Sequence, residues 1–141
     1  MIVIKYRSKK YIEVRYIFLY EIMKGEIREF KKEMQSIAYT ILTLLIISRS
    51  DKPIYGYRII KAVEELSNGR IKFKVGTLYP VLKKLERNGL VKSFWSISNG
   101  SPRKYYSISE KGDKVLDQML DIWNEMVSLI NDIRDNLMGG G

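Results

Sequence analysis

Neither cysteine nor histidine occurs among the 141 residues. Disulfides, thiol nucleophiles, Cys/His zinc sites and imidazole bases are therefore excluded at the outset. The lack of cysteine fits a reducing compartment, and the expected location is cytoplasmic. Proline is scarce, with Pro53, Pro80 and Pro102 the whole supply, so each one marks a boundary or a special position. Long apolar runs are missing too. The longest, around Ile41 to Ile47, falls far below the roughly 20 residues needed to span a membrane. Basic residues Lys5, Arg7, Lys9 and Lys10 precede the segment YIFLY, which is too short and interrupted for a secretory apolar region. No carboxylate pair stands outside solvated helix faces, so no enzyme, metal or cofactor is expected.

What is present is apolar residue and positive charge. Apolar residues make up 45 % of the chain, enough for a folded domain with a core. The net charge is +9, unevenly spread. Residues 110–137 hold seven acids (Glu110, Asp113, Asp117, Asp121, Glu125, Asp132, Asp135) against three bases (Lys111, Lys114, Arg134), a balance of −4. The remainder therefore carries +13. A basic body with an acidic C-terminal segment points to a polyanionic partner for the body alone.

Along the chain, Ile12, Val14, Tyr16 and Phe18 alternate, which suits a strand, although a helix fits as well. Met23 and Met34 are internal candidate starts, and residues 1–25 are read as a basic and aromatic extension, strand or helix. From about Glu26 to Ser48 the pattern is helical and, through Ile37, Ile41, Leu44, Leu45 and Ile47, largely buried. Pro53 ends it. A second helix opens at Gly56, keeps helical spacing through Tyr57, Ile60, Val63 and Leu66, and stops at Asn68-Gly69. Residues 71–75 read as a linker or brief strand. A third helix covers about 76–88, with Gly89 placed for the left-handed position after its end. Two strands, 90–97 and 103–108, flank turn chemistry at 98–102, where Asn99-Gly100 is a hairpin signal.

Ser109 caps a last helix, with Glu110 in its first turn. This helix repeats apolar residues every seven: Leu116, Trp123, Ile130 and Leu137 in one position, Met119, Met126 and Ile133 in the other. Flanking Val115, Leu120, Ile122, Val127 and Leu129 widen the stripe enough to serve its own domain and a second helix. The expected architecture is mainly α with a small β-hairpin (α+β). It comprises a winged helix-turn-helix over 26–108, a dimerisation helix over 109–137 and a tail at 138–141.

In such a unit the third helix packs one face inward and offers the other to a major groove. Leu78, Leu82 and Leu85 supply packing. Thr77, Tyr79, Pro80, Lys83, Lys84 and Arg87 fall off that face and offer a hydroxyl, a phenol and three cations, which suit phosphate contact. Pro80 is expected among the first four helical residues, where no N–H is required. Each feature has a plain alternative: Tyr79 packed under the wing, or Lys83 and Lys84 as a solvated face.

The strings GYRI (56–59), GTLYPVLKKLERNGLV (76–91), Trp95, SNGSPRKYY (98–106) and SEKG (109–112) closely resemble the PadR-like transcriptional regulators, over about residues 34–137. The resemblance implies a homodimeric winged-helix repressor on a pseudo-palindromic double-stranded DNA operator. The wing at about 98–104 would lie on the backbone or minor groove, and the last helix would exchange contacts with its partner. The candidate DNA-contacting set is Tyr57, Lys74, Thr77, Tyr79, Pro80, Lys83, Lys84, Ser101, Arg103 and Lys104. The dimerisation set is Leu116, Met119, Trp123, Met126, Ile130, Ile133 and Leu137. The resemblance further implies, for some members, a flat aromatic or lipophilic effector held by a tryptophan, and Trp123 stands at the matching place. Packing in the apolar seam accounts for Trp123 equally. A module for RNA or a protein partner is the main rival reading, and the complete wing with a basic third helix argues against a purely protein-binding role.

Overall fold

The structure, a computed structural model, describes residues 9–139, with side chains from residue 21 onward. The chain divides into two compact units, Met1–Ile37 and Ala38–Gly141. The elements are α1 (Lys9–Arg49), β1 (Ile54–Tyr55), α2 (Gly56–Leu66), α3 (Val75–Arg87), β2 (Val91–Ser98), β3 (Ser101–Ile108) and α4 (Glu110–Gly139). The alternation at residues 12–18 does not make a strand: the backbone is helical from Lys9. A strand needs a neighbour for its N–H and C=O groups, whereas a helix satisfies them internally. The sheet, ordered β1-β3-β2, draws on other segments.

Ala38–Gly141 is organised around one core. Leu44 and Ile47 of α1, Ile59 and Val63 of α2, and Leu78, Leu82 and Leu85 of α3 meet Leu90, Val91, Tyr106 and Leu116 there. Leu44, Ile59, Leu78 and Leu82 are fully buried. Phe73 plugs the linker before α3 and meets the Tyr39 ring edge-on at 4.4 Å. The linker is thus anchored by one aromatic and forms no strand. The extra strand lies instead at Ile54–Tyr55, antiparallel to β3 through Ile54–Tyr106 and Tyr55–Tyr105.

The stops are those the sequence encodes. Asn68 and Gly69 have φ of 53° and 76° after α2. After α3, Leu90 N–H donates to Leu85 O at 2.9 Å and Gly89 N–H to Glu86 O at 3.0 Å, with Gly89 at φ 72°; this is a Schellman closure. Asn99 and Gly100, at φ 52° and 79°, form a two-residue turn that sets the β2–β3 register from Ser98–Ser101 to Val91–Ile108. Pro102 therefore sits within β3, opposite Ile97, beyond the two residues that β1 pairs. Its missing N–H removes no β1 bond there.

The SEKG string docks α4 on the rest. Ser109 Oγ accepts the Gly112 N–H at 2.9 Å, a helix cap, and donates to Gly89 O at 2.6 Å. Lys111 Nζ donates to Asn88 O at the end of α3 at 3.0 Å. A Cβ on Gly112 would collide with the Leu90 carbonyl, so only glycine lets the backbones approach this closely.

Candidate nucleic-acid interface

α3 is amphipathic in the sense a recognition helix requires. Leu78, Leu82 and Leu85 are at most 2 % exposed, while Tyr79, Pro80, Lys83, Lys84 and Arg87 are exposed. The helix begins earlier than expected. Lys74, with ψ 150°, is the N-cap, so Pro80 is the sixth helical residue and not one of the first four. It therefore offers no N–H to the Gly76 carbonyl and removes one intrahelical bond. Gly76 is exposed, so water can take up that carbonyl.

Between α3, the start of α2 and the β2–β3 wing runs an open groove of about 770 Å³. Five residues of the candidate DNA-contacting set line it: Tyr57 from α2, Tyr79 and Lys83 from α3, and Arg103 and Lys104 from β3. Helical spacing explains the α3 contribution, since positions 79, 83 and 86 share one face. Tyr57 is 56 % exposed, with Lys61 Nζ 5.6 Å from its ring centre. The Tyr79 hydroxyl rests over Gly56, where a Cβ would approach it to 2.9 Å. Tyr79 thus packs on the start of α2 and leaves 46 % of its surface open. Arg103 lies 4.5 Å above the Tyr55 ring; this cation–π contact holds the guanidinium at the groove.

The cations are not equivalent. Lys104 Nζ donates to Glu86 Oε2 at 3.2 Å and lies 5.8 Å from the Tyr106 ring. Ser93 Oγ donates to the other carboxylate oxygen of Glu86. Lys104, expected at the DNA, therefore has its charge engaged within the protein, where it ties the wing to α3. Lys83 is exposed and Arg103 half-buried; among the described residues, neither groove cation has a carboxylate on it. The Ser93 hydrogen bond, followed by Lys104, holds the Glu86 carboxyl below its usual value against the opposing effect of burial. Burial pushes the Tyr106 phenol up, aided by the Glu86 charge and by Tyr79.

Lys74, Thr77, Pro80, Lys84 and Ser101 do not line this groove. Tyr55, Glu86, Trp95, Pro102 and Tyr106 do, and the candidate set omitted them. Glu86 was available from helical spacing, seven residues after Tyr79. Trp95 follows from pairing, since it faces Lys104 across the hairpin and is 68 % exposed. Tyr55 depends on β1, a two-residue strand too short for any periodic signal. Among the described residues no cluster of acidic side chains is arranged to hold a metal ion, and no helix is long and apolar enough to cross a membrane.

α4 divides its apolar residues between two tasks. Leu116 is buried in its own domain, and Val115, Met119 and Leu120 pack against the same core. Leu116 is thereby removed from the surface that a second subunit can reach. Beyond Leu120 the stripe is open: Ile122, Met126, Leu129, Ile130, Ile133 and Leu137 are 50–80 % exposed. Trp123 is half-buried.

The profile of the Transcriptional regulator PadR-like family matches residues 41–118, more than half the chain. A PadR-like transcription factor from Bacteroides fragilis is 30 % identical, with a TM-score of 0.61 over 74 % of this chain and 98 % of that one. A PadR family regulator from Eggerthella lenta is 26 % identical, with a TM-score of 0.65 over 79 % and 90 % of the two chains. An uncharacterized protein from Lysinibacillus sphaericus is 30 % identical over 82 residues, 57 % of this chain and 75 % of that one.

Proposed function

The chain belongs to the PadR-like family and is a DNA-binding transcriptional regulator, not an enzyme; from this premise we propose that it acts as a homodimeric repressor on a pseudo-palindromic operator. α3 enters the major groove by its N-terminal half, and the wing tip from Ser98 to Lys104 tracks the backbone or minor groove. The observation that carries this reading is the groove that gathers Tyr57, Tyr79, Lys83 and Arg103 from three elements. Lys83 and Arg103 hold phosphates. The phenols of Tyr57 and Tyr79 donate to phosphate or base edges. Lys84, Lys74, Thr77 and Ser101 flank the groove as further backbone contacts, and Pro80 stiffens the approaching end. Lys104 positions the wing.

Dimerisation rests on the open part of α4, from Ile122 to Leu137, because a stripe this apolar and this exposed needs a partner surface. Met119 and Trp123 form its inner edge. Packing in that seam is the role assigned to Trp123, and a flat aromatic or lipophilic effector is admitted only where the two seams meet around it. Two bound subunits then present their α3 helices about one duplex turn, roughly 34 Å, apart.

The test is binding to duplex DNA from upstream of the chain's own gene. Replacing Lys83 and Arg103 together by alanine should weaken binding at least tenfold. It should also flatten the dependence of log affinity on log salt by about two charges per subunit. Unchanged affinity and slope would remove the groove from the interface. Footprinting should show two half-sites one turn apart, and a single unpaired footprint would refute the dimer.

A further inference from the structure

One face of the wing is packed at its base and apolar but open towards its tip. In the β2–β3 register the pairs Ser93–Tyr106, Trp95–Lys104 and Ile97–Pro102 share that face. At the base, Tyr106 is buried in the core, and Ser93 and Lys104 both bind Glu86 of α3. Towards the tip, Trp95 is 68 % and Ile97 78 % exposed, with Pro102 exposed beside them. Trp95 and Pro102 also line the groove that contains Lys83 and Arg103, so this apolar strip continues the groove.

The turn sets how Ile97 and Pro102 meet. Asn99 and Gly100 both have positive φ and make a two-residue turn, so the flanking Ser98–Ser101 pair is the hydrogen-bonded one. Antiparallel pairs alternate. Ile97–Pro102 is therefore a non-hydrogen-bonded pair, in which Cα atoms lie about 4.5 Å apart and the side chains come together. Pro102 thus costs no bond to β2 either. The hairpin carries a compact apolar pair one residue behind its turn.

We propose, on the binding mode given above, that Ile97 and Pro102 act as a wedge in the minor groove beside the α3 site, parting one base step and bending the duplex. Trp95 packs behind them against the sugars. Apolar side chains, isoleucine and proline among them, open base steps from the minor groove and kink DNA in this way. Charge favours duplex DNA as the occupant: residues 91–108 contain Lys92, Arg103 and Lys104 and no acid. The Glu86 contacts tie the base of the wing to α3, so wedge and helix hold a fixed spacing and binding has less to order. Sequence preference then arises at a step that no polar side chain reads, in favour of pyrimidine–purine steps, which kink most easily.

The test uses the full-length chain on its footprinted operator, set at different positions along fragments of one length. Mobility of the parent complex should depend on the position of the site, as a bend requires. 2-Aminopurine scanned through the footprint should brighten at one step in each half-site. Ile97→Ser, a change at an exposed position that the fold tolerates, should remove both signals and weaken binding about tenfold. Its salt slope should stay that of the parent, because no phosphate contact is lost. Pro102→Ser should reduce the bend, and Ile97→Leu should keep it. A straight parent complex, or a bend that survives in Ile97→Ser, overturns the wedge. A reduced salt slope in Ile97→Ser does so too, since the residue would then act through phosphate contacts. Without DNA, Ile97→Ser should sediment as the parent does; altered association would assign the strip to a second copy of the chain and overturn the proposal. Failure of the groove reads out separately, as unchanged affinity and salt slope when Lys83 and Arg103 are replaced.

Discussion

Two glycines show how one missing methyl group serves different ends. A Cβ at Gly56 would press on the Tyr79 phenol, at 2.9 Å from its hydroxyl, and that ring end is free to swing away. Gly56→Ala should therefore leave thermal stability within about 1 kcal/mol but shift Tyr79 in the groove and weaken operator binding several-fold in a mobility-shift titration. A Cβ at Gly112 would meet the Leu90 carbonyl, a backbone group already fixed by the Ser109 N–H at 3.0 Å, together with Ile108. Nothing there can yield cheaply, so Gly112→Ala should cost about 1–3 kcal/mol in denaturant unfolding. Glu86 adds a pH dependence whose sign is fixed. Its folded carboxyl lies below the usual 4.5, chiefly through Ser93 and then Lys104. The charged form is thus favoured by folding, so its stabilisation is complete above 4.5 and is lost as pH falls through the lowered folded value. Glu86→Gln should be less stable than the parent at neutral pH, and the gap should close in unfolding curves taken at progressively lower pH below 4.5.

At the scale of elements, α3 is a helix that tolerates a defect at the end proposed to meet DNA. Pro80 in the sixth position removes the bond to the Gly76 carbonyl, and an interior proline costs up to about 3 kcal/mol relative to alanine. Pro80→Ala should raise the unfolding midpoint, by about 1–2 kcal/mol once the looser unfolded chain is counted. On the proposed binding mode, operator affinity should not rise with it, because the first turns of α3 become less stiff. A variant no more stable than the parent would show that the helix start already absorbs the proline. The position of this defect was misjudged from sequence because Lys74, which has no capping side chain, starts the helix. Where side-chain chemistry fixes a boundary, the sequence was legible: Asn68-Gly69, Gly89 and Asn99-Gly100 all adopt the positive φ their identities suggest. Ser109 caps α4 as its type predicts. What stayed hidden was set by long-range pairing. β1 exists only because β3 lies beside it, the 12–18 alternation gave way to a helix, and the pairing of Lys104 with Glu86, itself held by Ser93, joins residues from separate elements that no local pattern connects.

The whole molecule keeps its charges apart. The +13 body contains the groove, and no residue of the −4 segment 110–137 lines it. The acids Asp117, Asp121, Glu125, Asp132 and Asp135 occupy the outward positions of the α4 repeat, so in a dimer built on the seam they face water and not one another. At physiological salt, charges farther apart than about 8 Å are largely screened. The acidic helix should therefore contribute little to operator affinity, despite carrying nearly half of the chain's acids. Neutralising Asp117 and Asp121 with asparagine changes the net charge by the same two units per subunit as removing Lys83 and Arg103. If net charge governed binding, the two double variants would shift affinity by similar factors in opposite directions. If local phosphate contacts govern it, the asparagine variant should bind within about threefold of the parent with an unchanged salt slope, while the alanine variant loses both affinity and slope. Paired titrations of the two variants across a salt series would decide between these, and a steeper slope in the asparagine variant would place the acidic helix within the field of the DNA.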